Sequence, residues 1–425
     1  RVVERMQPPA PPNDAAYSDT PERSYNLGLS GRGQRVLDEL GVLADVAACS
    51  ARVVGRQDWD KHGATKITLR EPRKYVSLCI QRERLAAVLL EACRKDPAIA
   101  VQHGMSVTGV VWDENDRPLV SLQRSEPGAD GGRLEEVSPT LLIGADGCNS
   151  AVVAALEAAP KSPVRMRRYV DSNTRVYKTV PLDFDLDADP GTWRRDLNLS
   201  ARSQAEPGVT LEVLPTAEGK GVGVVLFKPG NAAVAAADTP EKAREFLEAN
   251  FPMLAPTLSD RACSLLASQR EQNFPTFSMA CGGLHGPHTA LVGDAIHTVK
   301  PYFGLGVNSA FEDVAVLRDC LAKEKATAPP GGERAVGSAL AEYSRLHQRN
   351  AESLVRISRS FDGGFLTFVL PIILDQLCQK VLPGVFSPNG IRMLQNADLE
   401  FHRIAAMKRR DRALQAFLLA ALVTC

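Results

Sequence analysis

Two segments far apart in the chain repeat one order of residues, and this repeat limits the possible folds more than any other feature. In 141–156, LLIGADGCNSAVVAAL, an apolar strand ends in Asp146 and Gly147, and a helical run follows. In 290–294, ALVGD, a second apolar strand ends in Asp294. Open α/β sheets bind ligands at the carboxyl edge of their strands, where such acids lie. The repeat predicts an α/β sheet with a binding edge, while the first segment alone is equally compatible with ordinary Asp-Gly turn chemistry.

The second segment carries a loop that the first lacks. This loop and the predicted helix start after it hold five candidate binding positions, Pro301, Gly304, Gly306, Val307 and Asn308. Glycine lets a planar group approach the backbone, and a helix start presents unpaired N–H groups with a partial positive charge. Asp294 adds an acceptor for hydroxyl groups. Together these features suit a ligand with hydroxyl or phosphate groups and a ring that becomes anionic, such as a reduced flavin.

The chain as a whole predicts an α/β fold in four consecutive parts. Helical runs alternate with short apolar strands in the first part and again around Asp294, which predicts a Rossmann-like binding domain. Between them, β-rich runs predict an antiparallel sheet, and beyond them the periodicity is helical. The predicted parts are the first portion of the binding domain at 1–160, the antiparallel-sheet substrate domain at 161–285, the second portion of the binding domain at 286–334, and C-terminal helices at 335–425.

Individual elements follow from periodicity and turn residues. Four short extended runs between 98 and 144 predict a β-meander that leads into the first acid-tipped strand. Thr239 followed by Pro240 marks a helix start. Helices are predicted at 32–48, 83–95, 239–252, 308–323, 335–360 and 365–382. The last is apolar on nearly every side, so it is predicted to be buried or to contact lipid.

Composition excludes some classes of protein and leaves one alternative open. Lys and Arg together number 50, as do Asp and Glu together, so no net field indicates a nucleic acid as partner. The nine cysteines form no CxxC pair, which indicates free thiols in an intracellular, reducing compartment, and no metal site is predicted. Near the end, MKRRDR precedes ALQAFLLAALVTC, which is compatible with a packed helix or with the beginning of a membrane anchor.

Three stretches carry a resemblance to a known family: GADGCNSAV, GDAIHTVKPYFGLGVNSAFED and, upstream at 23–43, RSYNLGLSGRGQRVLDELGVL. The chain resembles the FAD-dependent aromatic-ring hydroxylases, and among them most closely the kynurenine 3-monooxygenases. The resemblance implies FAD as cofactor, NADPH or NADH as reductant, molecular oxygen, and a small aromatic, carboxylate-bearing substrate such as L-kynurenine, converted to 3-hydroxykynurenine. Together with the C-terminal runs, it adds a cytosol-facing membrane, such as the mitochondrial outer membrane, as one of the expected locations inside the cell.

The resemblance also implies cofactor contacts for single residues. Asp146 with Gly147, and Asp294 with the five positions from Pro301 to Asn308, surround FAD. Arg82, at the end of YVSLCIQR, matches a family arginine that contacts FAD.

The first residues and one arginine have two interpretations each. RVVE resembles the second strand of a βαβ unit whose glycine-loop portion is missing from the sequence, so Glu4 is either the acid that binds the adenosine ribose or a solvated terminal charge. Arg56 is either the arginine that pairs with the substrate carboxylate or a surface arginine. No catalytic acid or base is predicted. His297 is expected to position the loop, since the sequence places no partner acid beside it.

Two hypotheses of different classes remain. The first is an active FAD-dependent monooxygenase. The second is a truncated or degenerate, non-catalytic homologue that binds no FAD, indicated by the missing glycine loop and by Val153, where the first motif of the family generally has arginine. Flavin absorbance bands in the purified protein distinguish the two.

Overall fold

The computed structural model describes residues 1–20, 25–71, 74–124, 134–171, 174–184, 194–327, 334–363 and 368–424. The first residues of the motif at 23–43 and of the predicted helix at 365–382 lie outside these ranges. The strands are β1 (Val2–Glu4), β2 (Asn26–Leu29), β3 (Ala51–Val53), β4 (Gly55–Trp59), β5 (Thr65–Leu69), β6 (Ser77–Gln81), β7 (Val101–His103), β8 (Met105–Trp112), β9 (Pro118–Arg124), β10 (Glu135–Val137), β11 (Leu142–Gly144), β12 (Arg165–Arg168), β13 (Val176–Leu182), β14 (Leu197–Arg202), β15 (Thr210–Pro215), β16 (Gly221–Phe227), β17 (Gln272–Asn273), β18 (Ser278–Cys281), β19 (His285–Gly286), β20 (Thr289–Leu291) and β21 (His297–Thr298). The helices are α1 (Ala16–Asp19), α2 (Gly31–Glu39), α3 (Leu43–Ala48), α4 (Arg82–Arg94), α5 (Ala151–Ala158), α6 (Ala232–Ala236), α7 (Pro240–Asn250), α8 (Asp260–Ser268), α9 (Leu305–Thr327), α10 (Arg334–Ser360), α11 (Leu370–Val381), α12 (Gly390–Leu394) and α13 (Phe401–Thr424).

The helices form where the periodicity predicts them, with two differences. The predicted helix at 32–48 is divided into α2 and α3, because Gly41 adopts a left-handed φ of 73° between them. α9 begins at Leu305, slightly earlier than predicted. α7 begins as predicted, since Thr239 is its N-cap and its side chain accepts a hydrogen bond from the backbone N–H of Lys242.

The two acid-tipped strands, β11 and β20, are parallel neighbours in one sheet. Gly144 lies opposite Leu291, and the N–H of Val292 donates to the carbonyl of Gly144 at 3.1 Å. β1 pairs in parallel with β7 in a separate short sheet, and no ladder joins the two sheets within the described ranges. β8, β9 and β10 form the predicted antiparallel meander before β11. The parallel pairs confirm an α/β fold in which the carboxyl ends of β11 and β20 meet at one edge.

A seven-stranded sheet forms the second large layer, in the order β17-β13-β16-β15-β14-β4-β5. It is mixed instead of purely antiparallel, because β14 runs parallel to β4. β4 and β5 come from the range predicted as the first portion of the binding domain, so the predicted boundary at 160 does not separate the two parts. The apolar face of the sheet packs against α7 and α8 around residues such as Trp59 and Phe251.

The opposite face of the seven-stranded sheet lies against the binding domain. Glu212 and Leu214 of β15 share this face, since alternate residues of a strand point to the same side. Leu214 packs against an apolar cluster of β3 and β6. Asn26 of β2 donates to the carbonyls of Leu214 and Pro215 at 3.2 and 3.3 Å. The sheet therefore covers the region in which β2 lies.

α11 differs from the prediction of a fully buried apolar helix. Its outer side, with Ile373 and Leu377, is exposed, whereas Asp375 is buried and pairs with Lys408 and Arg412 at 2.9 and 2.8 Å. The helix thus packs its polar side on α13, so the predicted alternative of a buried helix is wrong, and the other alternative, contact with lipid, stays a prediction. Within the described part of the chain, no helix combines the length and the apolar character that a membrane span needs.

Candidate active site

The pairing of β11 with β20 brings Asp146 and Asp294 to the same edge of one sheet. Asp146 caps α5, because its carboxylate accepts hydrogen bonds from the hydroxyl of Ser150 at 2.5 Å and from the N–H of Ala151 at 2.7 Å. Gly147 turns the chain with a left-handed φ of 80°. The first motif therefore fixes the start of α5 at this edge of the sheet. The side chain of Asp146 remains exposed there.

Asp294 lies at this edge, shortly after the end of β20. Its side chain is accessible to solvent, yet protein surrounds it closely enough that burial raises the pKa of the carboxyl, an effect that His297 opposes and Asp313 reinforces. Neither carboxylate oxygen accepts a hydrogen bond from the described residues. An accessible carboxylate without a hydrogen-bond donor among the described residues fits a ligand that brings hydroxyl groups.

The loop before α9 is held by close backbone contacts at one of its two glycines. Gly304 has a φ of 64°, and a Cβ added there would lie 2.9 Å from the carbonyl oxygen of Gly28 in β2. Phe303 beside it has a φ of 58°, a strained conformation for an aromatic residue. At Gly306 the φ is not left-handed, and an added Cβ would make only an ordinary contact of 3.6 Å with Val299 Cγ2. The surrounding chain therefore requires glycine at 304 and does not require it at 306.

The first turn of α9 forms the other wall of this loop. Because the helix begins at Leu305, Gly306, Val307 and Asn308 all lie in the turn whose N–H groups have no partner inside the helix. Val307 packs against the apolar cluster around β2 and α2, and Pro301 is exposed at the start of the loop. The end of α9 that favours negative charge thus lies three residues earlier in the chain than predicted, which is close to one turn.

Asn308 is buried and uses every hydrogen-bonding position of its side chain within the protein. Nδ2 donates to the carbonyls of Gly28 and Gly304 at 2.8 and 2.6 Å, and Oδ1 accepts from the N–H groups of Ser30 and Gly33 at 2.9 and 3.2 Å. A Cβ at Gly33 would lie 2.5 Å from Oδ1, so glycine is required there as well. Asn308 joins β2, α2 and the loop, and it shapes the site instead of donating to a ligand.

His297 has a partner acid that the sequence does not reveal. Its Nε2 lies 2.8 Å from Oδ2 of Asp313, and Nε2 of His347 lies 2.5 Å from Oδ1 of the same carboxylate. All three side chains are buried. The expectation that no acid lies beside His297 is therefore wrong. The sequence shows two consecutive acids, Glu312 and Asp313, in the helix after the loop. Periodicity alone does not tell which of them faces His297.

Arg82 begins α4 and Glu4 ends β1. The contacts described for the two side chains do not include Asp294. The guanidinium of Arg82 lies 5.0 Å from the ring centroid of Tyr25 and donates to Glu83 at 2.6 Å. Glu4 is exposed at the end of β1 and accepts from the N–H of Met6 at 2.7 Å. Their roles toward FAD stay predictions.

Arg56 lies on the inner face of the seven-stranded sheet, among acids. Its Nε donates to Asp58 at 2.5 Å, and its Nη2 lies 3.8 Å from Glu212 Oε1. The hydroxyl of Ser200 donates to Glu212 at 2.7 Å. Burial raises the pKa of Glu212, although Arg56 lowers it. The sequence singles out Arg56 but misses both acids, because the register of β4, β14 and β15 brings them together.

Comparisons with known proteins agree with this geometry. A family model described as an FAD binding domain matches residues 16–358. The chain is 27% identical over 417 residues to the kynurenine 3-monooxygenase of Salinispora tropica, which covers 95% of this chain and 85% of that protein. It is 27% identical over 306 residues to the kynurenine 3-monooxygenase of Drosophila melanogaster, which covers 71% of this chain and 61% of that protein.

Solved structures share the fold at lower identity. PqsL, a probable FAD-dependent monooxygenase from Pseudomonas aeruginosa, has a TM-score of 0.60 at 21% identity and covers 86% of this chain and 89% of that chain. 2-Methyl-3-hydroxypyridine-5-carboxylic acid oxygenase has a TM-score of 0.61 at 18% identity and covers 86% of each chain. A further structure contains PqsL in complex with 2-aminobenzoylacetate.

Proposed function

The chain belongs to the family with this FAD binding domain and is an FAD-dependent monooxygenase of the aromatic-ring hydroxylase type, and we propose that its substrate is a small aromatic compound with an amino-acid group. L-Kynurenine is the first candidate, with 3-hydroxykynurenine as product and NADPH as electron donor. The similarity to kynurenine 3-monooxygenases over most of the chain supports this candidate.

One observation carries the proposal for the cofactor. The parallel register of β11 and β20 puts Asp146 and Asp294 at one edge, and the loop with Gly304 leads from that edge into the first turn of α9. An acceptor for hydroxyl groups and a helix start that favours negative charge therefore adjoin two glycines, Gly304 in the loop and Gly306 in the first turn of α9. This is the arrangement that a flavin with a ribityl chain requires.

The residues present fit FAD, and each contributes by position. Asp294 would hold hydroxyl groups, and the free N–H groups at the start of α9 would favour the negative charge that the ring gains on reduction. When bound, FAD supplies the redox chemistry: it accepts a hydride from NADPH and enables transfer of one atom of O2 to the aromatic ring, while the other atom leaves as water. The protein orients the substrate beside the cofactor and excludes bulk water from it.

The mixed charges around Arg56 support a substrate that carries both signs. A guanidinium fork suits a carboxylate, whereas the carboxylates of Asp58 and Glu212 suit an ammonium group. Glu212 is 44% exposed, so its carboxylate can be reached by a ligand, and its pKa is raised by burial. An α-amino acid group presents both charges on adjacent atoms. A substrate with a carboxylate alone would add a third negative charge beside Asp58 and Glu212, where Arg56 is already paired with Asp58.

The test uses purified protein reconstituted with excess FAD. Flavin absorbance after removal of free FAD reports cofactor binding, and NADPH oxidation with mass spectrometry of the product reports hydroxylation. We expect L-kynurenine to stimulate oxidation and to gain one oxygen atom, and the analogue that lacks the α-amino group to stimulate it less. NADH in place of NADPH measures the preference between the two donors.

Glu212→Gln separates the substrate assignment from the cofactor assignment. It keeps the shape of the side chain and removes its charge, so KM for L-kynurenine should rise about tenfold or more while FAD binding stays unchanged. Asp183→Asn, at an exposed acid of the same layer, is the matched control. A protein that remains colourless in excess FAD would refute the enzyme proposal, whereas a yellow protein indifferent to kynurenine would refute only the substrate.

A further inference from the structure

A buried group of ionisable side chains lies behind Asp294. His297 of β21, Asp313 of α9 and His347 of α10, here named the His-Asp-His cluster, are 0%, 0% and 5% exposed. The two histidines approach opposite oxygens of the one carboxylate, at 2.8 and 2.5 Å. The ring of Tyr343 stacks on His347 with 5.8 Å between centroids. The predicted cofactor contacts include none of these residues.

Asp313 also holds the backbone next to Asp294. Its Oδ2 accepts a hydrogen bond from the N–H of Gly293 at 2.7 Å. Gly293 has a left-handed φ of 64° and directly precedes Asp294. Because a buried carboxylate fixes this peptide, the position of Asp294 depends on how Asp313 is oriented.

One ring nitrogen of His297 lowers the stability of the folded protein, because it is a buried polar atom without a hydrogen bond to the described residues. Nδ1 is buried and has no hydrogen-bond partner within the described ranges. In the neutral ring with a proton on Nε2, Nδ1 is an unpaired acceptor, and in the imidazolium it is an unpaired donor. Either state costs about 1–3 kcal/mol at a buried position. Arrangements that violate packing rules in this way are expected at functional sites more than elsewhere.

The charges within the cluster support one another. Burial alone would raise the pKa of Asp313, but His297 and the hydrogen bonds from both histidines lower that pKa to about 2. Burial likewise disfavours the imidazolium of His297, but Asp313 raises its pKa above the ordinary value, and Asp294 adds to the rise. The other ionisable groups that approach the cluster are Glu312 of α9 and Tyr343 of α10. β18, on the far side of β21, brings no charged side chain.

We propose that the His-Asp-His cluster is a positioning unit for Asp294, in which the two histidines orient Asp313 and Asp313 fixes the turn at Gly293. The inference rests on the proposed function, since Asp294 is positioned for FAD. When His297 loses its proton, the buried carboxylate of Asp313 loses the positive charge that lies 2.8 Å from its Oδ2. The turn is then held less firmly, and Asp294 with it.

FAD affinity should therefore depend on pH in a defined direction. His297 is protonated below the ordinary histidine range, so its contribution is complete there and is lost as the pH rises through its raised pKa. Asp313 stays ionised down to about pH 2 and adds no change at higher pH. On the acid side, protonation of Asp294 removes the acceptor first, because burial raises its pKa.

The experiment measures the Kd for FAD by flavin fluorescence from about pH 5 to about pH 9, in wild type and four variants. Asp313→Asn and His297→Asn alter the cluster. Asp411→Asn alters a carboxylate of equal burial in α13, and His285→Asn alters a histidine of β19 that lies 2.6 Å from Ser344, both outside the cluster. Thermal unfolding of each apo protein is followed in parallel.

We expect the two cluster variants to raise the Kd about tenfold near neutral pH and to flatten its alkaline rise. The two control variants should keep the wild-type Kd and pH profile even where they unfold at lower temperature. The inference is overturned if the cluster variants lose stability alone, or if the controls raise the Kd equally. If the wild type binds no FAD, the proposed function is refuted. If the wild type binds FAD and the cluster variants bind it equally well, only this inference is refuted.

Discussion

The backbone conformation and packing require glycine at position 304 but not at position 306. Gly304 has a left-handed φ and no room for a Cβ beside Gly28, whereas Gly306 has an ordinary helical environment. We expect Gly304→Ala to lower the free energy of unfolding by about 1–3 kcal/mol. Gly306→Ala should leave it unchanged or raise it by about 0.5–1 kcal/mol, because alanine favours the helix. Urea unfolding of the apo variants measures both.

The same pair of variants reports on the ligand. If the flavin ring lies against Gly306, the Gly306→Ala variant should bind FAD more weakly while its stability equals that of the wild type. An unchanged Kd for FAD in Gly306→Ala would remove this residue from the site.

The charge of Asp294 is expected to favour FAD binding and to lower the stability of the apo protein. Because burial raises the pKa of its carboxyl, the stability that its titration contributes is present below the unfolded pKa and is lost as the pH rises through the folded pKa. Asp294→Asn should therefore make the apo protein at least as stable as wild type near pH 8, with no such advantage below about pH 4. The Kd for FAD should rise about tenfold or more.

Thermal unfolding of apo Asp294→Asn across this pH range, with a flavin titration beside it, measures the two effects. Asp183→Asn serves as the exposed control. An apo Asp294→Asn variant that is clearly less stable than wild type near pH 8 would contradict the raised pKa of this carboxyl.

At the scale of elements, one buried guanidinium joins α2 to the C-terminal helices. Arg32 is 2% exposed and donates to Glu312 of α9 at 3.0 Å and to the carbonyls of Leu394 and Asn396 at 3.3 and 2.7 Å. It also lies 4.4 Å from the ring centroid of Phe401 in α13. α2 carries Gly33 against Asn308, so the same helix connects the loop before α9 with the C-terminal region.

Replacement of this arginine should be far more costly than replacement of its neighbour. Arg32→Met leaves Glu312 buried with less compensation, and we expect the free energy of unfolding to fall by about 3–5 kcal/mol. Arg35 contacts the same carboxylate at 3.4 Å but is 39% exposed, so Arg35→Met should cost about 1 kcal/mol or less. Urea unfolding curves measure the difference, and equal midpoints for the two variants would show that burial does not decide it.

At the scale of the whole molecule, the chain passes between its sheets more than once. β3 and β6 belong to the small sheet with β2, whereas β4 and β5 between them belong to the seven-stranded sheet. Arg84 of α4 also pairs with Glu218 next to β15 at 2.5 Å. Parts that share strands and a partly buried ion pair in this way should unfold together.

Tryptophan fluorescence tests this cooperativity. Trp59 lies in the apolar core of the seven-stranded sheet, and Trp112 lies in the meander, where its Nε1 donates to the carbonyl of Pro287 at 2.9 Å. With the other tryptophans replaced by phenylalanine, each reporter should give the same urea midpoint, within about 0.3 M. Two separate midpoints would mean that the sheets unfold independently.

The sequence by itself determined the local elements and the most important long-range pairing. Thr239 and Pro240 specify the start of α7 through capping and a fixed φ, and apolar periodicity specifies the long helices. The two acid-tipped strands are recognisable because strand, acid and helix are consecutive in sequence. Their meeting at one edge follows from the geometry of a parallel sheet, which places all carboxyl ends on the same side.

Only the tertiary structure decided which polar side chains meet. Asp313 reaches His297 and His347 because α9, α10 and β21 fold against each other, and no periodicity encodes that contact. Arg56 and Glu212 come together through the register of separate strands. Burial and pairing between distant residues depend on packing of the whole chain, whereas capping, turns and periodicity depend on neighbours in sequence. For this reason the meeting of Asp146 and Asp294 at one sheet edge was predictable, and the buried charges near that edge were not.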